Sequence, residues 1–165
     1  MIRLLLVQQF WHSPTIAKQV GLKAVDLFEA VEAGKIKAIW IMATNPVVSL
    51  PNADQVKRAL DKCEFVVVSD ICLDTDTTQY ADVLLPALGW GEKDGTVTNS
   101  ERRISRQRAF LDIPEQAQAD WWSVSQVAKK LGFQGFDFES SHDIFKEHAQ
   151  LSAYQNAEID LRSST

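Results

Sequence analysis

Phe65-Val-Val-Val-Ser-Asp70 is the stretch on which the fold turns. Four successive apolar residues, three of them β-branched, show no alternation with polar ones. A run of that kind fits a strand covered on both faces, as in a parallel sheet. Working outward, Ile36 to Met42 is a second short apolar run holding Ile, Trp and Ile, broken by the turn signature Thr44-Asn45-Pro46. Between the two runs, Asp54 to Cys63 brings Val56, Leu60 and Cys63 to one helical face. Ahead of the first run, Ala24, Leu27, Phe28 and Val31 stand at i, i+3, i+4 and i+7, and Gly34 is placed to cap that helix. Beyond the second, Asp74 to Gln79 reads as a loop or short helix, and Asp82 to Leu85 as a third strand stopped by Pro86. Strands alternating with helices in this way predict an α/β fold: a three-layer sandwich around a mainly parallel, Rossmann-like sheet.

The chain then changes character. Gly89 to Asn99 is rich in Gly, Asp and Thr, and Arg102, Arg103, Arg106 and Arg108 follow. With Glu92, Asp94 and Glu101 close by, that basic run reads first as a solvated or ion-paired edge strand. Asp120 to Leu131 is a helix with Val124, Val127, Ala128 and Leu131 on one face, and a last helix spans His142 to Ala153. Residues 1–20 carry no clear pattern, 21–153 form the α/β domain, and 154–165 make a polar tail.

Bulk properties exclude several classes. At 165 residues the chain suits one domain. A net charge of −5 and a pI near 5.2 leave no footprint for nucleic acid or an anionic membrane. No apolar run approaches the roughly 20 residues of a membrane span, and the opening lacks the plan of a secretory signal, so the expected compartment is the cytoplasm. Cys63 and Cys72 form no CxxC, and His12, His142 and His148 share no ligand spacing with them. No metal or iron–sulfur site built by this chain is expected, and both cysteines read as small buried residues. Nothing pairs a nucleophile with a base: there is no G-x-S-x-G, no cysteine beside a histidine and no glycine-rich phosphate loop.

In open parallel sheets, ligands bind outside the carboxyl ends of the strands. Those ends are Ala43-Thr44-Asn45-Pro46, Ser69-Asp70 and the loop after Pro86. An acid at Asp70 can accept from a ribose diol or the N–H edge of guanine, Asn45 can donate and accept at once, and Lys93, between Gly91 and Gly95, can meet a phosphate. Each has a plainer reading: Asp70 as turn former or helix cap, Asn45 as turn residue, Lys93 as solvated lysine. The five tryptophans, adjacent Trp121 and Trp122 included, read as packing residues, with Trp40 in the core.

Several of these stretches resemble a known family. Ala38-Ile-Trp-Ile-Met-Ala-Thr-Asn-Pro46, Phe65-Val-Val-Val-Ser-Asp70, Thr77-x-x-Tyr80-Ala81-Asp82-Val-Leu-Leu-Pro86 and Trp90-Gly-Glu92-Lys93-x-Gly95-Thr-x-Thr-Asn99-Ser-Glu101-Arg102-Arg103 follow in order, and Asp120-Trp121 opens the next element. Together they resemble an internal α/β domain of molybdopterin oxidoreductases of the dimethyl sulfoxide reductase family, over about Gly21 to Gly132. Gly21-Leu-Lys-Ala-Val-Asp-Leu-Phe-Glu-Ala-Val31 and Asn45-Pro-Val-Val-Ser-Leu-Pro51 look most like assimilatory nitrate reductase catalytic subunits; formate dehydrogenases share the general pattern.

The resemblance implies that the chain is part of a subunit holding molybdenum in a bis(molybdopterin guanine dinucleotide) cofactor and reducing nitrate to nitrite. By position, Asn45, Ser69, Asp70, Lys93 and Asp120 resemble residues that contact the guanine dinucleotide. Gly95, Thr96 and Asn99 would shape their loop, and Arg102 and Arg103 would face a neighbouring domain. The resemblance also implies partners, namely the other domains of the same subunit, including one with an iron–sulfur cluster; alone, the chain is expected to be inactive. A formate dehydrogenase and a non-catalytic guanine-nucleotide-binding or interaction module are the alternatives. A response-regulator receiver shares the fold class but would need an acidic pair after its first strand.

Overall fold

The computed structural model describes residues 2–155, so most of the expected polar tail, from Asn156 to Thr165, lies outside the described residues. The elements run α1 (Ile2–Phe10), α2 (Ala24–Glu32), β1 (Ala38–Met42), α3 (Pro46–Ser49), α4 (Ala53–Lys62), β2 (Phe65–Asp70), β3 (Val83–Pro86), β4 (Gly95–Thr98), β5 (Ile104–Gln107), α5 (Asp120–Lys130) and α6 (Ser141–Ala153). Single 3-10 turns occupy Thr78–Tyr80 and Trp90–Glu92. Two compact units divide the chain: one from residues 21–93 with 109–123, the other from 1–20, 94–108 and 124–165.

The first unit is the expected α/β fold. β1, β2 and β3 lie side by side in chain order and all parallel, with Met42 beside Ser69 and Asp70 beside Pro86. Because side chains alternate across a strand, Ile39 and Ile41 share a face with Val66 and Val68. That face meets α2 and α4 in a core of Phe28, Val31, Ile41, Val47, Val56, Ala59, Leu60, Val66 and Val68. Burying each larger side chain there favours folding by about 1.5–3 kcal/mol. The opposite face carries Trp40, Met42, Phe65, Val67 and Ser69. Phe65 on it is 46% exposed, so β2 is fully covered on one face rather than on both.

Local chemistry sets the boundaries. α2 ends where Gly34 takes φ +71; Gly34 N–H bonds Val31 and Lys35 N–H bonds Ala30, satisfying carbonyls the helix would leave open. Asn52 starts α4, its Oδ1 accepting from Gln55 N at 3.2 Å. β3 is clasped to β2 by Asp82, whose Oδ2 accepts from Val66 N at 2.7 Å while its own N–H bonds Val66 O at 2.9 Å.

The second unit holds the elements least legible in sequence. The unpatterned opening forms α1, and Trp11 just beyond it donates Nε1–H to Glu147 of α6 at 2.8 Å. The basic run supplies β5, paired antiparallel with β4 as expected of an edge, and Arg106 reaches Asp94 at 4.0 Å. Asn99 closes the hairpin through Oδ1, which takes Arg103 N at 2.9 Å. α6 starts at Ser140, whose Oγ accepts from Asp143 N. On α5 the buried positions are Ser125 and Ala128; Val124, Val127 and Leu131, expected inward, are exposed. The stripe that packs is the one with small side chains, and the branched residues beside it are left in solvent.

Candidate functional site

All five candidate residues fall in the first unit, at or just past the carboxyl edge of its sheet. β1 ends with an unusual step: Ala43 has φ +54, a left-handed conformation that costs a non-glycine residue about 1–2 kcal/mol. Its N–H bonds Ser69 O, tying the turn to β2. Two residues on, Asn45 begins α3 without capping it by its side chain. Asn45 Oδ1 instead accepts from the Thr77 hydroxyl at 2.6 Å, and Thr77 Oγ1 accepts from Val47 N at 3.3 Å. The amide was expected to donate and accept at once. One acceptor position is committed to Thr77, and Nδ2 is without a hydrogen-bond partner among the described residues.

On the neighbouring strand, Asp70 Oδ1 takes Cys72 N at 2.9 Å, the turn-forming contact of the plainer reading, and Oδ2 has no partner among the described residues. Ser69 is buried, and its Oγ accepts the Trp40 indole N–H at 2.8 Å. Trp40 is half-buried on the sheet face opposite Ile39 and Ile41 rather than in the core, because side chains alternate along β1, and Ser69 on that face meets its N–H. Cys72, expected buried, is exposed in the loop beyond Asp70, and Cys63 is half-buried at the end of α4.

Lys93 and Asp120, 27 residues apart, meet: Nζ lies 3.3 Å from Oδ2, with both side chains about one-third exposed. Their surroundings are built by backbone. Beyond β3, Ala87 pairs with Gln118, and Leu88 N bonds Gln118 O at 3.1 Å, which sets the start of α5 at the sheet edge. Phe110 N and Leu111 N both bond Gly91 O, at 2.8 and 2.9 Å, anchoring the loop that carries Lys93. A side chain at Gly91 would sit 2.7 Å from Leu111 Cδ1 and 2.9 Å from Phe110 Cζ, the tips of exposed side chains that can give way. Asp120 Oδ1 is buried without a hydrogen bond among the described residues, the sole side-chain atom of this kind among them.

The sheet edge thus holds two groups of candidates, Asn45 with Ser69 and Asp70, and Lys93 with Asp120. Sequence reasoning passed over Thr77 and Trp40 as supports of the site. The threonine stood within a quoted motif, but its partner is 32 residues away, a separation no local pattern encodes. Among the described residues no three His, Cys, Asp or Glu side chains are grouped to hold a metal, and no helix is long and apolar enough to cross a membrane.

The fold is an open parallel α/β sheet, of the kind in which ligands bind outside the carboxyl ends of the strands. The family model of the molybdopterin oxidoreductases matches residues 3–130, and the chain belongs to that family. It is 61% identical over 148 residues to a nitrate reductase of Shewanella frigidimarina, covering 90% of this chain and 16% of that protein. Identity to a nitrate reductase of Klebsiella oxytoca is 54% over 149 residues, covering 90% of this chain and 17% of that one. An F420-dependent formate dehydrogenase subunit alpha of Methanocaldococcus jannaschii is 40% identical over 163 residues, 94% of this chain and 24% of that protein. The chain therefore spans between about a sixth and a quarter of the length of these relatives.

Proposed function

We propose that this chain is the α/β domain, residues 21–153, of a molybdenum-dependent nitrate reductase catalytic subunit. There it helps hold a molybdopterin guanine dinucleotide. The observation that carries the reading is Asp120 Oδ1. A buried acceptor left unsatisfied costs about 1–3 kcal/mol, more for a charged group, so a donor from a ligand completes it. Guanine and ribose present such donors. In this reading Asp70 and Asp120 accept from N–H or O–H groups of the nucleotide, Asn45 Nδ2 donates to one of its acceptors, and Lys93 meets a phosphate. Ser69, held by Trp40, fixes the end of β2 beneath them. The bound cofactor supplies the two-electron chemistry that takes nitrate to nitrite, with electrons arriving through an iron–sulfur cluster in another part of the subunit.

Nitrate is preferred as substrate because the nitrate reductases named above share more residues with this chain than the formate dehydrogenase does. The remaining domains of the subunit are its partners. Exposed apolar side chains such as Leu73, Phe110 and Leu131 are suitable surface for them to cover. We assign the enzyme to the cytoplasm.

The test is a chimera in which residues 21–153 replace their counterpart in the Shewanella frigidimarina nitrate reductase. We expect turnover of nitrate and not of formate, and none from the 165-residue chain alone. Asp70→Ala in the chimera should lower bound molybdenum about tenfold, the effect of a lost charge-assisted hydrogen bond. Formate turnover in place of nitrate would overturn the substrate; full molybdenum loading after Asp70→Ala would overturn that residue's role.

A further inference from the structure

Resting on the reading of Asn45 as a ligand contact, we infer that Thr77 is a positioning residue that fixes which edge of the Asn45 carboxamide faces the nucleotide. A carboxamide on a strand-end turn can rotate, offering either its oxygen or its N–H groups. Here one rotation is held. Thr77 is fully buried, and its hydroxyl is used at both ends, accepting from Val47 N and donating to Asn45 Oδ1. The hydroxyl accepts from Val47 N–H and gives its single proton to Asn45 Oδ1, the edge of the carboxamide that can take it. Nδ2 is therefore turned away from Thr77 and is without a partner among the described residues.

Two further observations agree. Asn45 occupies the N-cap position of α3 yet leaves the capping role, the usual use of an asparagine there, unfilled. Ala43, two residues earlier, adopts a left-handed conformation at the end of β1, so the backbone that presents Asn45 is held in an unfavourable state. The consequence is selectivity. The turn offers donors to a ligand, so it matches an acceptor such as the guanine carbonyl, a ring nitrogen, or a ribose or phosphate oxygen.

The experiment uses the whole 165-residue chain, labelled for NMR, with GDP as probe. In the wild-type chain the Thr77 hydroxyl proton should exchange slowly, and the Asn45 Nδ2 group should be rigid, with an order parameter near about 0.8. Thr77→Val should drop that value below about 0.6, and Thr77→Ser, which keeps the hydroxyl, should restore it. GDP affinity should fall about tenfold in Thr77→Val and equally in Asn45→Ala, with the double variant no worse than Asn45→Ala alone. A mobile Asn45 amide with a rapidly exchanging Thr77 hydroxyl in the wild type overturns the lock without any variant having to fold. A rigid amide whose loosening leaves GDP affinity unchanged, where Asn45→Ala lowers it, overturns the positioning role. Unchanged affinity in Asn45→Ala overturns instead the reading of Asn45 as a ligand contact, and the proposal with it.

Discussion

The two units of the chain are held together by different physics. The unit of residues 21–93 and 109–123 contains the whole hydrophobic cluster, nine buried side chains gathered from two helices, two strands and the α3 turn. Among the described residues, the unit of residues 1–20, 94–108 and 124–165 contributes none of it and is tied mainly by polar contacts, Trp11 to Glu147 among them. Others are the capped start of α6, the hairpin turn at Asn99, and exposed ion pairs such as Lys129–Asp137 at 3.1 Å. Burial of an apolar side chain contributes about 1.5–3 kcal/mol, whereas an exposed ion pair contributes about 0–1. The candidate residues lie in the unit with the core. A rigid sheet edge can hold polar groups in place with some of their bonding capacity unspent.

The contrast can be broken by substitution. Leu60→Ala removes a fully buried side chain of α4 and should lower stability by about 2–5 kcal/mol, read from the denaturant midpoint. Ile144→Ala on half-buried α6 should cost about 1 kcal/mol or less by the same measurement. Equal losses would show that the second unit has a core of comparable worth. Asp82→Ala comes next: it deprives the Val66 N–H of its carboxylate and should cost about 1–3 kcal/mol in the unfolding free energy. Amide exchange at Val66 should then quicken. Gly91→Ala should cost less, about 0.5 kcal/mol, because its new methyl meets only the tips of the exposed Leu111 and Phe110 side chains, which can move aside.

The smallest effect is a pH dependence confined to the second unit. Asp143 at the start of α6 accepts from the Ser140 hydroxyl at 2.8 Å and lies 3.0 Å from Lys146 Nζ. The Ser140 bond first, and then Lys146, hold its carboxyl down from 3.8 to about 2. A carboxyl lowered in the folded state contributes stability that is complete above its ordinary value and is lost as pH falls through the folded one. Helicity of α6 should therefore decline between about pH 4 and pH 2. Ser140→Ala should weaken that dependence, followed by Asp143 titration in NMR. An unchanged titration midpoint in Ser140→Ala would remove Ser140 as its main cause.

How legible the molecule was in sequence follows the same division. The parallel sheet and the helices α2 and α4 were readable because their apolar residues recur at strand or helix period and are consumed by one core. The helix α1 was missed: Leu4, Leu5, Gln8 and Gln9 give no sharp apolar face. On α5, periodicity selected Val124, Val127, Ala128 and Leu131; of these packing buries Ala128, together with Ser125, which periodicity did not select. At the site, position along the strands pointed to Asn45, Ser69, Asp70, Lys93 and Asp120, but not to how they are used. That Lys93 and Asp120 pair, that Ser69 is taken by Trp40, and that Thr77 holds Asn45 are contacts across 27, 29 and 32 residues. Only the folded chain specifies them.

The most direct test of the account lies in Asp120 Oδ1, the buried oxygen without a hydrogen bond among the described residues. Asp120→Asn in the chimeric nitrate reductase keeps the shape and the packing but removes the charge and presents N–H groups on one side of the amide. Molybdenum bound per subunit, and the GMP released from the cofactor on acid hydrolysis, would be measured beside the melting temperature. The account predicts that both contents fall about tenfold while the melting temperature moves by no more than about 2 °C. Full loading of molybdenum and GMP in Asp120→Asn would contradict it.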